Sequence, residues 1–107
     1  MNATFDQICR LVKKRRVRVT THGYTRMIKR RILPSDVIAG VLMAEVIEDY
    51  PEYYVGPAVL ILQRDPNGNV VHVVWGIEKG TQEPAVVVTA YYLDPTEWSA
   101  DFRSRKP

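Results

Sequence analysis

Apolar residues recur every three to four positions along the first 44 residues, which is the period of an amphipathic helix. This pattern predicts a first helix over residues 5–14 and a second over residues 21–31, with Thr21 as the N-cap of the second. A third helix is predicted over residues 34–44, because Pro34 suits the first turn of a helix and ends the one before it. We therefore expect the N-terminal part of the chain to be helical.

The second predicted helix has one apolar stripe and one cationic flank. At 3.6 residues per turn, the stripe consists of Tyr24, Met27 and Ile28 and extends to Ile32. The other flank collects one imidazole and three cations, namely His22, Arg26, Lys29 and Arg30. We expect the stripe to face a core and the flank to face solvent.

From residue 45 onward the period of the pattern changes to two, which is typical of strands. Strands are predicted over residues 45–50, 58–63, 70–77 and 85–93, with turns rich in Pro and Gly between them. In the first of these strands, Val46 and Tyr50 are placed on one face beside Glu48, and Ile47 on the other. Short connections predict antiparallel pairing of successive strands.

The order of these elements predicts an α+β fold. Two to three N-terminal helices would pack on one face of a roughly four-stranded antiparallel sheet. Residues 17–19 alternate apolar and charged side chains and are expected to form a short extended segment. Residues 1–98 are expected to form a single domain, and residues 99–107, which are polar and charged, a loose tail.

The composition is that of one globular domain outside a membrane. Of 107 residues, 46% are hydrophobic and 25% are charged, and no apolar run approaches the roughly 18 residues of a membrane span. The N-terminus lacks the layout of a signal peptide, so a cytoplasmic location is predicted. Cys9 lies among apolar neighbours and is expected to pack in the core, and the two histidines show no metal-ligand spacing. Neither a metal nor another cofactor is predicted.

Charge is distributed unevenly along the chain. Residues 1–31 contain ten Lys or Arg and one acid, a net charge of +9, whereas the remainder carries −6. This asymmetry favours a polyanionic partner such as RNA, and the candidate contacts are Lys13, Lys14, Arg15, Arg16, Arg18, Lys29 and Arg30. A solvated loop would carry the same cluster. So would a non-catalytic module that binds nucleic acid or an acidic partner protein through residues 10–31.

The two histidines are the candidate acid–base groups, because imidazole titrates near neutral pH. His22 begins the cationic helix, and His72 interrupts an otherwise apolar strand. Helices that cover one face of a sheet leave the other face open for a ligand, and Tyr91 or Tyr92 would share that face with His72. The alternative is that His22 is a surface residue at a helix start and His72 a satisfied core residue.

Several short motifs follow one another in an informative order between residues 20 and 94. They are His22-Gly-Tyr-Thr-Arg26-Met27, Asp36-Val37, Glu45-Val-Ile-Glu-Asp-Tyr50 and His72-Val-Val. Together they resemble a bacterial and archaeal domain-of-unknown-function family, which is similar to the RelE, BrnT and MqsR group of small toxins. The resemblance implies a small ribonuclease-like fold and an antitoxin partner, zinc-finger types included. The chain has no C-terminal Arg and Tyr arrangement that aligns with better-known members of that group.

We therefore expect a toxin-like, metal-independent endoribonuclease. The acid and base roles would fall to His22 and His72. Arg26 and Arg30 would stabilise the charged transition state, and Tyr91 would donate a proton or position a base. The non-catalytic binding module is the alternative function.

Overall fold

The computed structural model describes residues 2–54 and 56–93, and this part of the chain contains three α-helices and five strands. In chain order the elements are α1 (Ala3–Lys13), β1 (Val17–Val19), α2 (Thr21–Lys29), α3 (Pro34–Gly40), a 3-10 turn (Val41–Met43), β2 (Glu45–Tyr50), β3 (Ala58–Arg64), β4 (Val70–Ile77) and β5 (Ala85–Tyr92). The predicted α+β class is confirmed. No helix in the described ranges is long and apolar enough to cross a membrane. The predicted domain end at residue 98 and the tail after it lie outside the described residues.

The five strands form one sheet in the order β1-β5-β4-β3-β2. Strands β2 to β5 pair with their neighbours along the chain in antiparallel fashion, as predicted. Strand β1 adds a fifth strand at the edge and pairs in parallel with residues 85–87 of β5. Hydrogen bonds flank this pairing at both ends, because Ala85 N donates to Arg16 O at 2.9 Å and Thr20 N donates to Val87 O at 3.1 Å. The sheet is therefore mixed and one strand larger than predicted.

Apolar clusters lie on both faces of the sheet. The main core lies between the helices and one face, and its fully buried side chains include Ile8, Met27, Val41, Val59, Val73 and Trp75. On the opposite face, which we call the helix-free face, Ala58, Leu60 and Val74 form a smaller cluster packed by tyrosines. Both faces of the central strands are therefore apolar, which agrees with the continuous burial of β3 and β4.

Strand β2 departs from the alternation predicted for it. Val46 packs on the main core, whereas Ile47 and Tyr50 both pack on the helix-free face. The register between β2 and β3 shifts between Val46 and Glu48, as at a β-bulge. Side chains after this shift lie on the face opposite to the one that simple alternation predicts. The predicted grouping of Val46 with Tyr50 is therefore wrong.

Candidate functional site

Helix α2 lies along β5 in a rotation different from the predicted one. Met27 is fully buried and Ile32 is nearly so, as expected, but Tyr24 is 52% exposed and Ile28 is 45% exposed. The buried line of the helix instead runs through Gly23 and Met27. The predicted stripe is therefore correct at Met27 and Ile32 and wrong at Tyr24 and Ile28.

Gly23 explains this rotation, because it allows α2 to approach the backbone of β5 closely. A Cβ atom at this position would overlap Val88 O and lie 2.7 Å from Thr20 Oγ1. Thr20, and not the predicted Thr21, is the N-cap, since its Oγ1 accepts a hydrogen bond from Gly23 N at 2.9 Å. The same hydroxyl donates to Val88 O at 3.2 Å and so ties the start of the helix to the sheet. His22 is thereby held next to a fixed helix start.

His22 lines a cleft of about 530 Å³ at the edge of the sheet where β1 pairs with β5. Two cations and one acid share the lining with it, namely Arg18, Lys79 and Glu78. The remaining lining residues are Thr20, Tyr54, Gly76, Ile77, Val86 and Val88. An imidazole beside two cations in a concave surface is a combination suited to proton transfer at a phosphate.

His72 and Tyr91 lie together on the helix-free face and do not line that cleft. They are register partners in β4 and β5, and their rings meet edge to face with centroids 6.0 Å apart. His72 has no exposed surface, and Tyr91 is partly buried. The structure therefore brings His72 to Tyr91, while it places His22 with Arg18.

A row of tyrosines connects the helix-free face to the cleft. Tyr50 stacks on Tyr53 with ring centroids 6.1 Å apart, and Tyr53 contacts Tyr54 with centroids 4.8 Å apart. Tyr50 also donates a hydrogen bond to Glu48. Tyr54 lines the cleft, and its side chain is 80% exposed. The sequence identifies this segment only as a tyrosine-rich loop, because Tyr54 and His22 line one cleft only in the folded chain.

The cations at the end of α1 are exposed. This group consists of Lys13, Lys14, Arg15 and Arg16, and the exposed Arg18 follows it in β1. Within the described ranges Arg16 forms an ion pair with Glu83 at 3.3 Å, and both side chains are more than half exposed. Exposed ion pairs contribute little to stability, so this one leaves Arg16 available to a stronger partner.

The predicted flank of α2 is also exposed along its whole length, at His22, Arg26, Lys29 and Arg30. Arg26 follows His22 by four residues and therefore lies one turn further on the same side. Arg30 differs from the others, because its Nη1 atom donates a hydrogen bond to Ala90 O at 2.8 Å. Part of its guanidinium is thus engaged in fastening α2 to β5.

Arg15 and Arg31 occupy the left-handed region of backbone conformation, each with a φ of 60°. Each follows the C-cap of a helix, where glycine is the usual residue because it has no Cβ. Arg15 N donates to Val12 O and Arg31 N donates to Ile28 O, which satisfies carbonyls at the two helix ends. A side chain in this conformation costs about 1–2 kcal/mol, so the chain keeps a cation at both positions at the expense of stability.

The described part of the chain holds no group of three or more His, Cys, Asp or Glu side chains placed to bind a metal ion. Cys9 is partly buried in α1, and burial raises the pKa of its thiol, with Asp6 acting in the same direction. A thiol with a raised pKa is a weak nucleophile at neutral pH. Cys9 therefore suits packing better than catalysis.

The part of the chain from the end of β1 to the end of β5 matches a recognised sequence family. The family model described as Domain of unknown function (DUF4258) matches residues 19–92, from the end of β1 to the end of β5. His22, Arg26, His72 and Tyr91 all fall inside this match. No curated protein and no solved structure matches the sequence. Because the match covers more than half of the chain, this protein belongs to the DUF4258 family of domains of unknown function.

Proposed function

We propose that this protein is the toxin of a toxin–antitoxin pair and acts as a metal-independent endoribonuclease. The observation that carries the proposal is the cleft lined by His22, Arg18 and Lys79. Cleavage of RNA by its own 2′-hydroxyl needs a base, an acid and positive charge around the phosphorus. These three kinds of group all line this one concave surface. The toxin assignment itself rests on the resemblance between the family whose motifs this chain carries and the RelE, BrnT and MqsR group of small toxins.

In the proposed reaction, His22 removes the proton of the 2′-hydroxyl, and the oxygen attacks the adjacent phosphorus. The bond between phosphorus and the 5′-oxygen then breaks, and Lys79 donates a proton to that leaving oxygen. Arg18 stabilises the negative charge that develops on the phosphoryl oxygens. The products are a 2′,3′-cyclic phosphate on one fragment and a 5′-hydroxyl on the other.

Two side chains beside these groups suit the rest of an RNA strand. The exposed ring of Tyr54 offers a surface on which a base can stack. Arg26 lies four residues beyond His22, about 6 Å along the helix axis, and can contact a neighbouring phosphate. His72 is fully buried and its ring meets the partly buried Tyr91, so the proposal gives these residues a supporting position in the sheet rather than a proton-transfer step.

Purified protein is expected to cleave single-stranded RNA in the presence of a chelator, because the proposed reaction uses only side chains. The measurement is gel electrophoresis of the products with mass spectrometry of their ends, which should show 2′,3′-cyclic phosphates. RNA that stays intact under these conditions contradicts the nuclease assignment. Induced expression with growth and RNA integrity followed together tests the toxin assignment, which fails if RNA is cleaved and growth continues unchanged.

Binding of nucleic acid without cleavage is the second candidate function, and the strained Arg15 favours it. Affinity for single-stranded RNA should fall steeply with salt, with a logarithmic slope of about −0.7 per phosphate contact. Arg15→Gly should reduce the magnitude of that slope by about 0.7, the value of one phosphate contact. It should also raise the free energy of unfolding by up to about 1 kcal/mol, because glycine suits the positive φ. Arg15→Lys is the matched control and should change neither quantity. Affinity that does not depend on salt, or an Arg15→Gly variant with wild-type binding, contradicts this prediction.

A further inference from the structure

A second cavity lies at the other end of α2, and the proposed reaction does not use it. Its volume is about 170 Å³, and it lies between the connection from α2 to α3 and the turn from β3 to β4. The connection contributes Arg31 and Leu33 to the lining, and α3 contributes Asp36. The turn contributes Asp65, Asn67 and Asn69. Gln63 and Arg64 of β3 and Tyr92 of β5 complete the polar part of the wall.

Gln63 is the deeply buried polar residue of this cavity, with 3% of its surface exposed. Its Nε2 atom donates to Val37 O at 2.8 Å, which fixes the orientation of the carboxamide. Its Oε1 atom has no hydrogen-bond partner within the described ranges of the chain. Buried polar atoms in proteins are nearly always hydrogen-bonded. The unpaired oxygen therefore indicates a donor other than the described residues.

The carboxylate of Asp65, also in the lining, is already hydrogen-bonded within its own loop, where Asn69 Nδ2 donates to Oδ2 at 3.0 Å. Asp65 Oδ1 accepts hydrogen bonds from Asn67 N and Asn69 N, both at 2.9 Å. Desolvation opposes ionisation of Asp65, but the hydrogen bonds from Asn69 and Asn67 outweigh it and hold the carboxyl pKa below its usual value. Tyr92 Oη lies 3.4 Å from Asp65 Oδ2 and 3.4 Å from Arg31 O, which holds the tyrosine ring at the cavity.

We propose that this cavity binds a nucleobase of the RNA substrate through the N–H donors of the base, an inference that rests on the proposed function. Apolar side chains from Ile32, Leu33 and Val37 line the cavity beside the fixed acceptor Gln63 Oε1, and an apolar wall with a few placed polar groups is the usual composition of a small-molecule site. A water molecule occupies about 30 Å³ in the liquid, so a single bridging water does not fill the space. Arg31, kept at a positive φ, places a cation where the phosphate of the same nucleotide can bind.

The test is a titration of the full chain with AMP, GMP, CMP and UMP, followed by amide and side-chain NMR shifts. At least one nucleotide should shift the Gln63 carboxamide together with the amides of Arg31 and Tyr92. Ribose 5-phosphate, which has no base, should bind more weakly by at least tenfold. Gln63→Met replaces the acceptor by a side chain of similar size. It should weaken binding of the preferred nucleotide by about tenfold, the usual effect of one lost hydrogen bond.

Gln82→Met is the matched control, because Gln82 is exposed and lies outside the cavity lining. Tyr92→Ala provides a second variant at a partly exposed position and should also weaken binding, even if Gln63→Met destabilises the fold. Absence of shifts at the cavity, equal affinity for ribose 5-phosphate, or wild-type binding by both variants overturns the proposal. The titration does not depend on cleavage. If the protein cleaves RNA but the nucleotides do not shift the NMR signals of the cavity residues, this inference is refuted and the proposed function is not.

Discussion

Replacement of His22 by alanine is expected to lower the rate of RNA cleavage by about 10²–10⁴-fold, the usual effect of removing a positioned base. The side chain is exposed and lies at a helix start whose cap is formed by Thr20, so its removal should leave the fold intact. The measurement is a single-turnover cleavage rate across pH, with chelator present and with unfolding followed in parallel. The wild-type profile should be bell-shaped, and the variant should lose the limb that depends on the base.

Thr21→Ala is the matched control, because Thr21 is the exposed neighbour of His22 and does not line the cleft. Arg18→Ala should slow cleavage more than it weakens RNA binding, since its guanidinium acts on charge that develops in the transition state. A His22→Ala variant that cleaves at the wild-type rate contradicts the proposed chemistry. Substitution of His72 is a poorer test, because this ring is fully buried and its loss would mix stability with chemistry.

Met27→Ala is expected to lower the free energy of unfolding by about 2–5 kcal/mol, because it removes a fully buried side chain and leaves a cavity. Met27 packs in the main core on the line of α2 that faces the sheet. Chemical denaturation measures the effect as a lower midpoint at an unchanged dependence on denaturant.

Two neighbours on α2 serve as controls for Met27. Lys29→Ala should change the free energy of unfolding by less than about 0.5 kcal/mol, since its side chain is exposed. Ile28→Ala should have an effect well below that of Met27→Ala, because Ile28 is 45% exposed. If Ile28→Ala lowered the free energy of unfolding as much as Met27→Ala, the helix would face the sheet through the predicted stripe.

Local pattern was sufficient for most element boundaries. Strands β2 and β4 begin and end where the period of two predicts, and α3 begins at Pro34 as its fixed φ requires. Periodicity was less reliable for predicting which face of a helix packs on the sheet. On a short helix, two rotations about the axis can each bury a similar set of hydrophobic residues. On α2 the close approach at Gly23 decides between them, and a glycine carries no hydrophobic signal of its own.

The candidate site shows the same division. The sequence alone indicated that His22 and Arg18 carry useful chemistry, since imidazole and guanidinium are recognisable wherever they occur. It did not indicate that Tyr54 and Lys79 join them, because these residues reach the cleft only through the pairing of β1 with β5 and of β5 with β4. The pattern likewise identifies Gln63 only as the last residue of a predicted strand.

The sequence by itself therefore determined the α+β class, the order of the elements and the concentration of positive charge in the first 31 residues, because these depend on local periodicity and composition. Only the tertiary structure decided the parallel fifth strand, the rotation of α2, the separate positions of His22 and His72, and the unpaired oxygen of Gln63. Each of these depends on contacts between residues far apart in the chain, such as Thr20 with Val88 and Gln63 with Val37. Such contacts leave no period in the sequence.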